Sequence, residues 1–336
     1  MSTFVVMERP LHNRAFRVSV VWTLVLLFLG SVVHATESSL ACPDWPTCYG
    51  SMVPEMTGGV FWEHLHRLVA GGLILMWTLA LYLVWRPADE RPWLRKATLG
   101  GLVLLLIQAV LGGITVILLL PDPVSTSHLG LAFAFLALAT VLGVSTSPGW
   151  GHRKEAVGTR GEADSIRPWA IGAAVLVFAQ SLLGAWVRHA EAGLACPQIP
   201  LCLGEWVPPL DQPLIAIHFF HRAAGIFVGI LVLGVAWMVR RRTTDERMRK
   251  AATAAVILVV AQIALGFFSV TSFLAVTPVS LHTLVAATLL AVLTAMATWT
   301  WEPADRKAMP TPDPTHREGG QAEVTRTGDR AVRTQE

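Results

Sequence analysis

The chain has 336 residues, of which 53% are hydrophobic and only 15% are charged. Soluble globular proteins carry roughly 25% charged residues, so this composition excludes an ordinary soluble enzyme. The net charge of +3 is too small to indicate nucleic-acid binding, and the sequence has no basic patch with interleaved aromatic residues. The mean hydropathy of +0.54 predicts a membrane protein instead.

Eight apolar runs are long enough to cross a bilayer, which requires roughly 20 mostly apolar residues. Their approximate limits are 18–34, 61–85, 97–120, 124–147, 168–187, 213–239, 251–275 and 278–301. The sequence therefore predicts an all-α membrane protein with eight transmembrane helices.

The basic residues test this count independently, because cytoplasmic segments of membrane proteins are enriched in Lys and Arg. All but three of the 26 basic residues lie before the first span or after an even-numbered span, and the exceptions are Arg67, Arg188 and Arg222. We therefore expect both termini in the cytoplasm and the loops 35–60 and 188–212 outside it, as in a multi-pass protein of the cell membrane.

The two halves of the chain are copies of each other. The motif Cys42-Pro-x-x-Pro-x-Cys48 recurs 154 residues later as Cys196-Pro-x-x-Pro-x-Cys202. Further landmarks recur at an offset of 154 or 155, namely His66-Arg67 as His221-Arg222, Gln108 as Gln262, Gly112 as Gly266 and His128 as His282. Each repeat contains an even number of spans, so the sequence predicts two tandem four-helix bundles in the same orientation, unlike an inverted repeat.

The repeat also sets the expected domain limits. Residues 1–150 form the N-terminal half and 151–301 the C-terminal half, whereas 302–336 are charged, Pro- and Gly-rich and predict a disordered cytoplasmic tail. The first apolar run resembles a secretory signal, with a small-x-small pattern ending at Ala35. Because that run is the counterpart of span five, we expect it to remain part of the structure.

Four histidines recur inside the even-numbered spans, near the ends that face the cysteine loops: His66, His128, His221 and His282. Ionisable residues are costly inside a membrane, so their recurrence indicates function. A four-helix bundle can present two such side chains to each other, and a pair of neutral imidazoles suits the two axial positions of heme iron. Zinc would need further ligands that the pattern does not supply. The alternative is that each histidine only hydrogen-bonds between helices.

The residues next to these histidines suggest supporting roles. Arg67 and Arg222 each follow a candidate ligand, so each could bind a heme propionate or extend to the lipid headgroups. Glu63 lies one helical turn before His66, where it could relay protons or stabilise a developing cation. The second half has His218 at this position, which indicates that only the first half performs chemistry. Alternatively, Glu63 is a solvated residue at a helix N-terminus.

The remaining histidines and the cysteines leave alternatives open. His64 and His218 are possible ligands but break the repeat, and His34 and His189 are expected at the membrane interface. The cysteine pairs face an oxidising compartment, so disulfides are expected at Cys42–Cys48 and Cys196–Cys202. Each could be a structural clip or could have a redox role, although the spacing is not Cys-x-x-Cys.

Taken together, these motifs resemble the heme A synthase family, in its bacterial form with two cysteine pairs, over about residues 15–301. The resemblance implies oxidation of the methyl group at position eight of heme O to a formyl group, giving heme A for cytochrome c oxidase. The sequence departs from the family at Glu37, where a glycine or small polar residue is expected.

The same resemblance implies specific roles. His66 and His128 would bind the substrate heme, His221 and His282 a permanent heme b, and Glu63 would be catalytic. Cys42–Cys48 would pass electrons or support heme transfer, and Cys196–Cys202 would be the less critical pair. The implied partners are heme O synthase, cytochrome oxidase assembly factors and membrane lipid. The resemblance also implies an electron donor, whose identity it does not give, and it is compatible with a homo-oligomer.

Two other functions are compatible with parts of the pattern. A b-type membrane cytochrome that only transfers electrons would use the four histidines, but it gives no role to a glutamate present in the first half alone. A membrane thiol-disulfide oxidoreductase would use the cysteines, but it leaves the four repeated histidines without a function.

Overall fold

The computed structural model describes residues 10–86, 91–148, 150 and 160–301. Within these ranges the chain forms eight long α-helices, each long and apolar enough to cross a bilayer. They are α1 (Leu11–Ala35), α2 (Gly58–Trp85), α3 (Pro92–Ile117), α4 (Asp122–Ser145), α5 (Arg160–His189), α6 (Pro213–Arg242), α7 (Glu246–Thr271) and α8 (Val276–Trp299). The prediction of an all-α membrane protein is confirmed. The predicted tail, 302–336, lies outside the described residues.

The helix limits differ from the predicted apolar spans at several ends. Helices α1, α3, α5 and α7 begin five to eight residues before the apolar stretch, since helical hydrogen bonds form equally well with polar side chains. At the other end α3 stops at Ile117, before the predicted limit of 120. Leu119 and Leu120 have φ values of 60° and 61°, and left-handed backbone ends a helix. Hydropathy cannot detect this stop because the residues of the turn are apolar.

Each half closes into a ring of four helices. In the first half α1 contacts α2 and α4, and α3 contacts α2 and α4, while α5 to α8 repeat this pattern in the second half. The halves meet through α1 with α8, α4 with α5, and α4 with α8. Exchanging the two halves leaves this set of contacts unchanged, as expected for a parallel repeat.

The hydrophobic core crosses the boundary between the halves. One cluster of buried residues joins α5 to α8 and also includes Leu27 of α1 with Phe133 and Leu136 of α4. A second cluster lies within α1 to α4, around the fully buried Trp77. The halves therefore share packed surface, and van der Waals packing between helices holds them together as it holds each ring.

The repeat extends to backbone conformation. Left-handed residues occur in pairs 154 positions apart, such as Glu37 with Glu191 and Tyr49 with Leu203. Glu37 and Glu191 both have φ of 55°. A left-handed position favours glycine or a small polar residue, which accounts for the residue type expected at position 37, and the glutamate found there has no structural explanation. We call the end of the bundle that carries both cysteine motifs the cysteine-loop end.

Candidate functional site

The structure brings the four predicted histidines together as two pairs. His66 on α2 lies close enough to His128 on α4 for electrostatic interaction, and so does His221 on α6 to His282 on α8. All four side chains are half-buried among the helices. Each pair belongs to one four-helix ring, which is the arrangement expected for two separate sites.

A bare glycine on an odd-numbered helix faces each of the four imidazole rings. Ideal Cβ atoms built on Gly30 and Gly112 would lie 3.0 Å and 2.9 Å from the Cε1 atoms of His66 and His128. The same construction gives 2.8 Å from Gly184 to His221 and 3.1 Å from Gly266 to His282. Any larger residue would displace the ring, so these glycines fix where each imidazole can lie.

The imidazole nitrogens of the second half lie within hydrogen-bond distance of glutamine residues, whereas the Nδ1 atoms of the first half have no such contact. The Gln180 amide nitrogen lies 3.0 Å from Nδ1 of His221 and donates to the His221 carbonyl at 2.8 Å. Both ring nitrogens of His282 lie 3.1 Å from atoms of Gln262. In the first half, by contrast, Nδ1 of His66 and Nδ1 of His128 are buried and make no hydrogen bond among the described residues.

The repeat explains this difference. Leu26 stands where the second half has Gln180, so no amide is available beside His66. Gln108 is the counterpart of Gln262, but its amide donates to the His128 carbonyl at 2.8 Å rather than contacting the ring.

Glu63 lies beneath the first cysteine loop, with only 4% of its surface exposed. One carboxylate oxygen accepts a hydrogen bond from the Cys42 backbone N–H at 2.7 Å, and the other accepts from the Arg67 guanidinium at 2.6 Å. The alternative of a solvated residue at a helix end is therefore wrong. Glu63 is buried because the first cysteine loop folds back over the first turns of α2. Glu63 links the loop to the helix that carries His66.

Both candidate propionate ligands are bonded to the cysteine loops. Arg67 donates through Nη1 to the carbonyl oxygens of Asp44 and Thr47 at 2.8 Å and 2.6 Å. Arg222 donates to four carbonyl oxygens of the second loop, those of Cys196, Gln198, Pro200 and Leu201. The guanidinium groups thus clamp each loop to the helix that bears a candidate ligand. Propionate binding by Arg67 or Arg222 stays a prediction.

The two expected disulfides are present and buried. Cys42 is joined to Cys48 and Cys196 to Cys202, and all four residues have at most 3% of their surface exposed. An isolated β-bridge follows each one, pairing Cys48 with Ser51 and Cys202 with Glu205. The short, covalently closed loops therefore cover the candidate sites as ordered structures.

Asp44 stabilises the tip of the first loop. Its carboxylate accepts hydrogen bonds from the Thr47 hydroxyl, from the Tyr49 N–H at 2.6 Å and from the Gly50 N–H at 2.9 Å. These bonds, led by that of Thr47, hold the pKa of Asp44 below its usual value. In the second loop Gln198 replaces Asp44 and accepts from the Gly204 N–H at 2.6 Å.

His218 and His64, the possible ligands that break the repeat, have other surroundings. Nδ1 of His218 is 2.9 Å from the Ala192 carbonyl oxygen and 3.3 Å from the Cys196 nitrogen, so this ring contacts the second loop as Glu63 contacts the first. His64 is buried, and its Nδ1 makes no hydrogen bond within the described part of the chain. Its counterpart in the second half is Phe219.

The residues present would hold a heme through two histidines in each half, and in the second half Nε2 of His282 would exchange its 3.1 Å contact with the Gln262 amide for the iron. Each pair supplies two imidazoles, and apolar helices surround both pairs. Each imidazole lies against one of the four glycines described above, which we call the glycine cradles. In the first half the Nδ1 atoms of His66 and His128 are buried and have no hydrogen-bond partner among the described residues. A histidine that only stabilised the core would make such a hydrogen bond, and a surface histidine would be exposed. Neutral nitrogen donors in an apolar pocket are the chemistry that heme iron requires.

Sequence reasoning missed several residues of these sites. Gly30 and Gly184 keep the offset of 154 but lie in glycine-containing apolar runs, where one more glycine carries little signal. The contrast between Leu26 and Gln180 could have been found by comparing the halves position by position. The clamp role of Arg67 could not, because it depends on the path of the cysteine loop.

Known proteins are similar to this chain over most of its length. A profile of the cytochrome oxidase assembly protein family matches residues 14–59 and 55–294. The heme A synthase of Symbiobacterium thermophilum is 32% identical over 267 residues, which cover 77% of this chain and 86% of that relative. The heme A synthases of Shouchella clausii and Shewanella oneidensis are 29% and 26% identical, over 76% and 85% of this chain and 86% and 95% of theirs. The resemblance seen in the sequence is confirmed, and the chain belongs to the cytochrome oxidase assembly protein family.

Proposed function

We propose that this protein is a heme A synthase, an oxidoreductase that converts the methyl group at position eight of heme O into the formyl group of heme A. Relatives that bear this name match most of the chain. The observation that carries the proposal is the break in an otherwise regular repeat. Both halves hold a histidine pair, but among the described residues only the first half has a buried carboxylate, Glu63, one turn from a candidate ligand.

The substrate heme binds to His66 and His128, and a resident heme b binds to His221 and His282. Polar contacts to the second ring nitrogen orient a metal-binding histidine and strengthen metal binding. In the second half the Gln262 backbone carbonyl can accept from Nδ1–H of His282, and the Gln180 side-chain amide supplies such a contact to Nδ1 of His221 once its oxygen faces the ring, which suits a cofactor that stays bound. The rings of the first half lack these contacts, which suits a substrate that must arrive and a product that must leave.

Heme b, when bound, supplies one-electron transfer to and from the site of oxidation. Glu63 presents a carboxylate in the first half, held by the Cys42 N–H and the Arg67 guanidinium. Converting a methyl group to a formyl group removes four electrons and adds one oxygen atom, so protons must leave and positive charge develops at the carbon. A fixed, water-shielded carboxylate can accept such a proton or stabilise that charge.

The cysteine loops order the sites. Their sulfur atoms are buried, whereas disulfides that exchange with partner thiols are accessible. This burial argues against a membrane thiol-disulfide oxidoreductase. In the first half the disulfide closes a loop whose carbonyl and N–H groups hold Arg67 and Glu63, so the pair Cys42–Cys48 positions the catalytic carboxylate.

The protein lies in the bacterial cell membrane with both termini in the cytoplasm. The concentration of Arg and Lys at the end opposite the cysteine loops supports this orientation. The cysteine loops then face the extracytoplasmic side. Heme O synthase supplies the substrate, and cytochrome oxidase assembly factors receive heme A.

The test is expression of the full chain in a host that makes heme O but no heme A, followed by chromatography of the extracted hemes. We expect a heme A peak from the wild-type chain and only heme O and heme b from the Glu63→Gln variant. Glutamine retains an oxygen that can accept from the Cys42 N–H, so the loop contact is kept while the charge is removed.

A matched variant makes this test specific. His218→Gln changes the equivalent position of the second half and should leave heme A production intact. If a folded wild-type protein that contains heme yields no heme A, the synthase proposal is wrong, and a b-type cytochrome that only transfers electrons becomes the better explanation.

A further inference from the structure

A buried arginine connects the two halves near the cysteine-loop end. Arg188, in the last turn of α5, donates through Nη1 to the Ser31 hydroxyl at 2.9 Å and through Nη2 to the Ser31 carbonyl oxygen at 2.7 Å. Ser31 belongs to α1, and its hydroxyl lies 3.2 Å from that of Thr283 on α8. Thr283 directly follows His282, so the hydrogen-bonded cluster of Arg188, Ser31 and Thr283 adjoins the site of the second half.

Two histidines lie beside Arg188, and its capacity to donate hydrogen bonds is only partly used. Its Nε atom is buried and makes no hydrogen bond among the described residues, and no ion pair to Arg188 occurs within them. His34 and His189 lie beside it with ring centroids 5.1 Å apart. Arginine has five N–H donors, so Arg188 can bind an anion and still contact Ser31.

The position of Arg188 relative to the glycine cradle indicates what the anion would be. Arg188 follows Gly184 by four residues, so it lies on the same helix face, one turn nearer the cysteine-loop end. Gly184 contacts His221, the candidate heme ligand on α6. A heme held by that histidine would carry its carboxylates at the ring edge, and the long side chain of an arginine one helical turn from the glycine could extend to them. The other arginines near the sites, Arg67 and Arg222, are already bonded to loop carbonyls.

We propose that Arg188 binds a propionate carboxylate of the heme held by His221 and His282. This inference rests on the proposed function, since it requires heme at the second site. The guanidinium supplies charge-assisted hydrogen bonds to the carboxylate, and the same group holds α5 to α1 through Ser31. Arg188 thereby couples occupation of the second site to the contact between the halves.

The test compares a heme that has free carboxylates with one that has none. The full chain carrying His66→Ala, which restricts binding to the second site, is made without heme and titrated with iron protoporphyrin IX or with its dimethyl ester. We expect the free acid to bind more tightly by about tenfold or more, the effect of one charge-assisted hydrogen bond. Adding Arg188→Met should reduce this preference severalfold.

Two further variants separate binding from folding. Arg188→Lys keeps the charge but loses the planar fork, so we expect an intermediate preference. It also carries the test if Arg188→Met fails to fold. Arg249→Met, at an exposed arginine on the opposite end, should leave the preference unchanged.

The outcomes distinguish the two proposals. If Arg188→Met weakens binding of both compounds equally, Arg188 is only a structural contact and the inference is wrong. If the chain binds both compounds without preference, this inference fails alone. If it binds neither, with folding shown by its helical circular dichroism, the proposed heme site fails and this inference fails with it.

Discussion

The two halves of the molecule show how one scaffold supports two different sites. Both contain a histidine pair on even-numbered helices and a glycine behind each ring. The second half adds Gln180 and Gln262 beside its imidazoles, whereas the first half leaves both Nδ1 atoms unbonded and adds Glu63. Both sites share the glycines that face the imidazole rings, and a few polar substitutions distinguish one site from the other.

The largest expected effect concerns the carboxylate that only the first half has. Glu63→Gln should lower the rate of heme A formation by about 10²–10⁴-fold, the usual contribution of a positioned acid or base. The heme b content should stay at the wild-type level because the second half is unchanged. Chromatography of extracted hemes and the reduced-minus-oxidised absorbance spectrum measure the two quantities. Undiminished heme A would show that Glu63 only holds the loop.

The glycine cradles offer the next largest effect. In Gly184→Ala the new methyl group would lie 2.8 Å from Cε1 of His221, so the ring must move and heme b should be lost. Gly172→Ala is the matched control on the same helix, because a Cβ there meets nothing within 4 Å. Heme b per protein, measured by its absorbance, should fall to less than about half in the first variant and not in the second. Equal heme contents would contradict the cradle.

A smaller effect should follow when the second half is made to resemble the first. Gln180→Leu introduces the residue found at position 26 and removes the amide beside His221. We expect heme b affinity to fall about 10–100-fold, as for loss of an orienting contact to a metal-binding histidine. Heme titration of the purified chain measures this. Unchanged affinity would mean that the contrast between the halves has another cause.

The smallest effect concerns the loops. Since the pKa of Asp44 lies below its usual value of 3.8, the bonds that Asp44 accepts stabilise the first loop above that pH. That stabilisation is lost as the pH falls through the lower pKa of the folded protein. Reduction of Cys42–Cys48 by a phosphine should therefore become faster in that acid range, without the same acceleration at Cys196–Cys202, where Gln198 cannot ionise.

The variant Asp44→Asn gives the corresponding effect at neutral pH. It should speed reduction of the first disulfide by roughly twofold to tenfold, because the amide retains only one acceptor oxygen for three donors. The second disulfide is the internal control. Equal rates in the variant and the wild type would show that Asp44 does not order the loop.

Periodicity and repetition in the sequence were sufficient to predict the fold and the pairing of the histidines. Eight spans followed from apolar length, and the pairs followed from the positions of the histidines on the even-numbered spans of each predicted four-helix bundle. The end of α3 at Ile117 was not predictable, because an apolar turn has the same hydropathy as an apolar helix. The environment of Glu63 was not predictable either, because the contacts to Cys42 and Arg67 depend on how the loop folds over α2.

The assignment of the substrate heme to the first half and of heme b to the second is tested most directly by removing one histidine ligand from each half. The wild-type chain, His66→Ala and His221→Ala should be purified from a host that makes heme O, and the bound hemes extracted and separated by chromatography. We predict that His66→Ala retains heme b but contains neither heme O nor heme A, and that His221→Ala loses heme b. Loss of heme b from His66→Ala, with heme b retained in His221→Ala, would contradict the assignment.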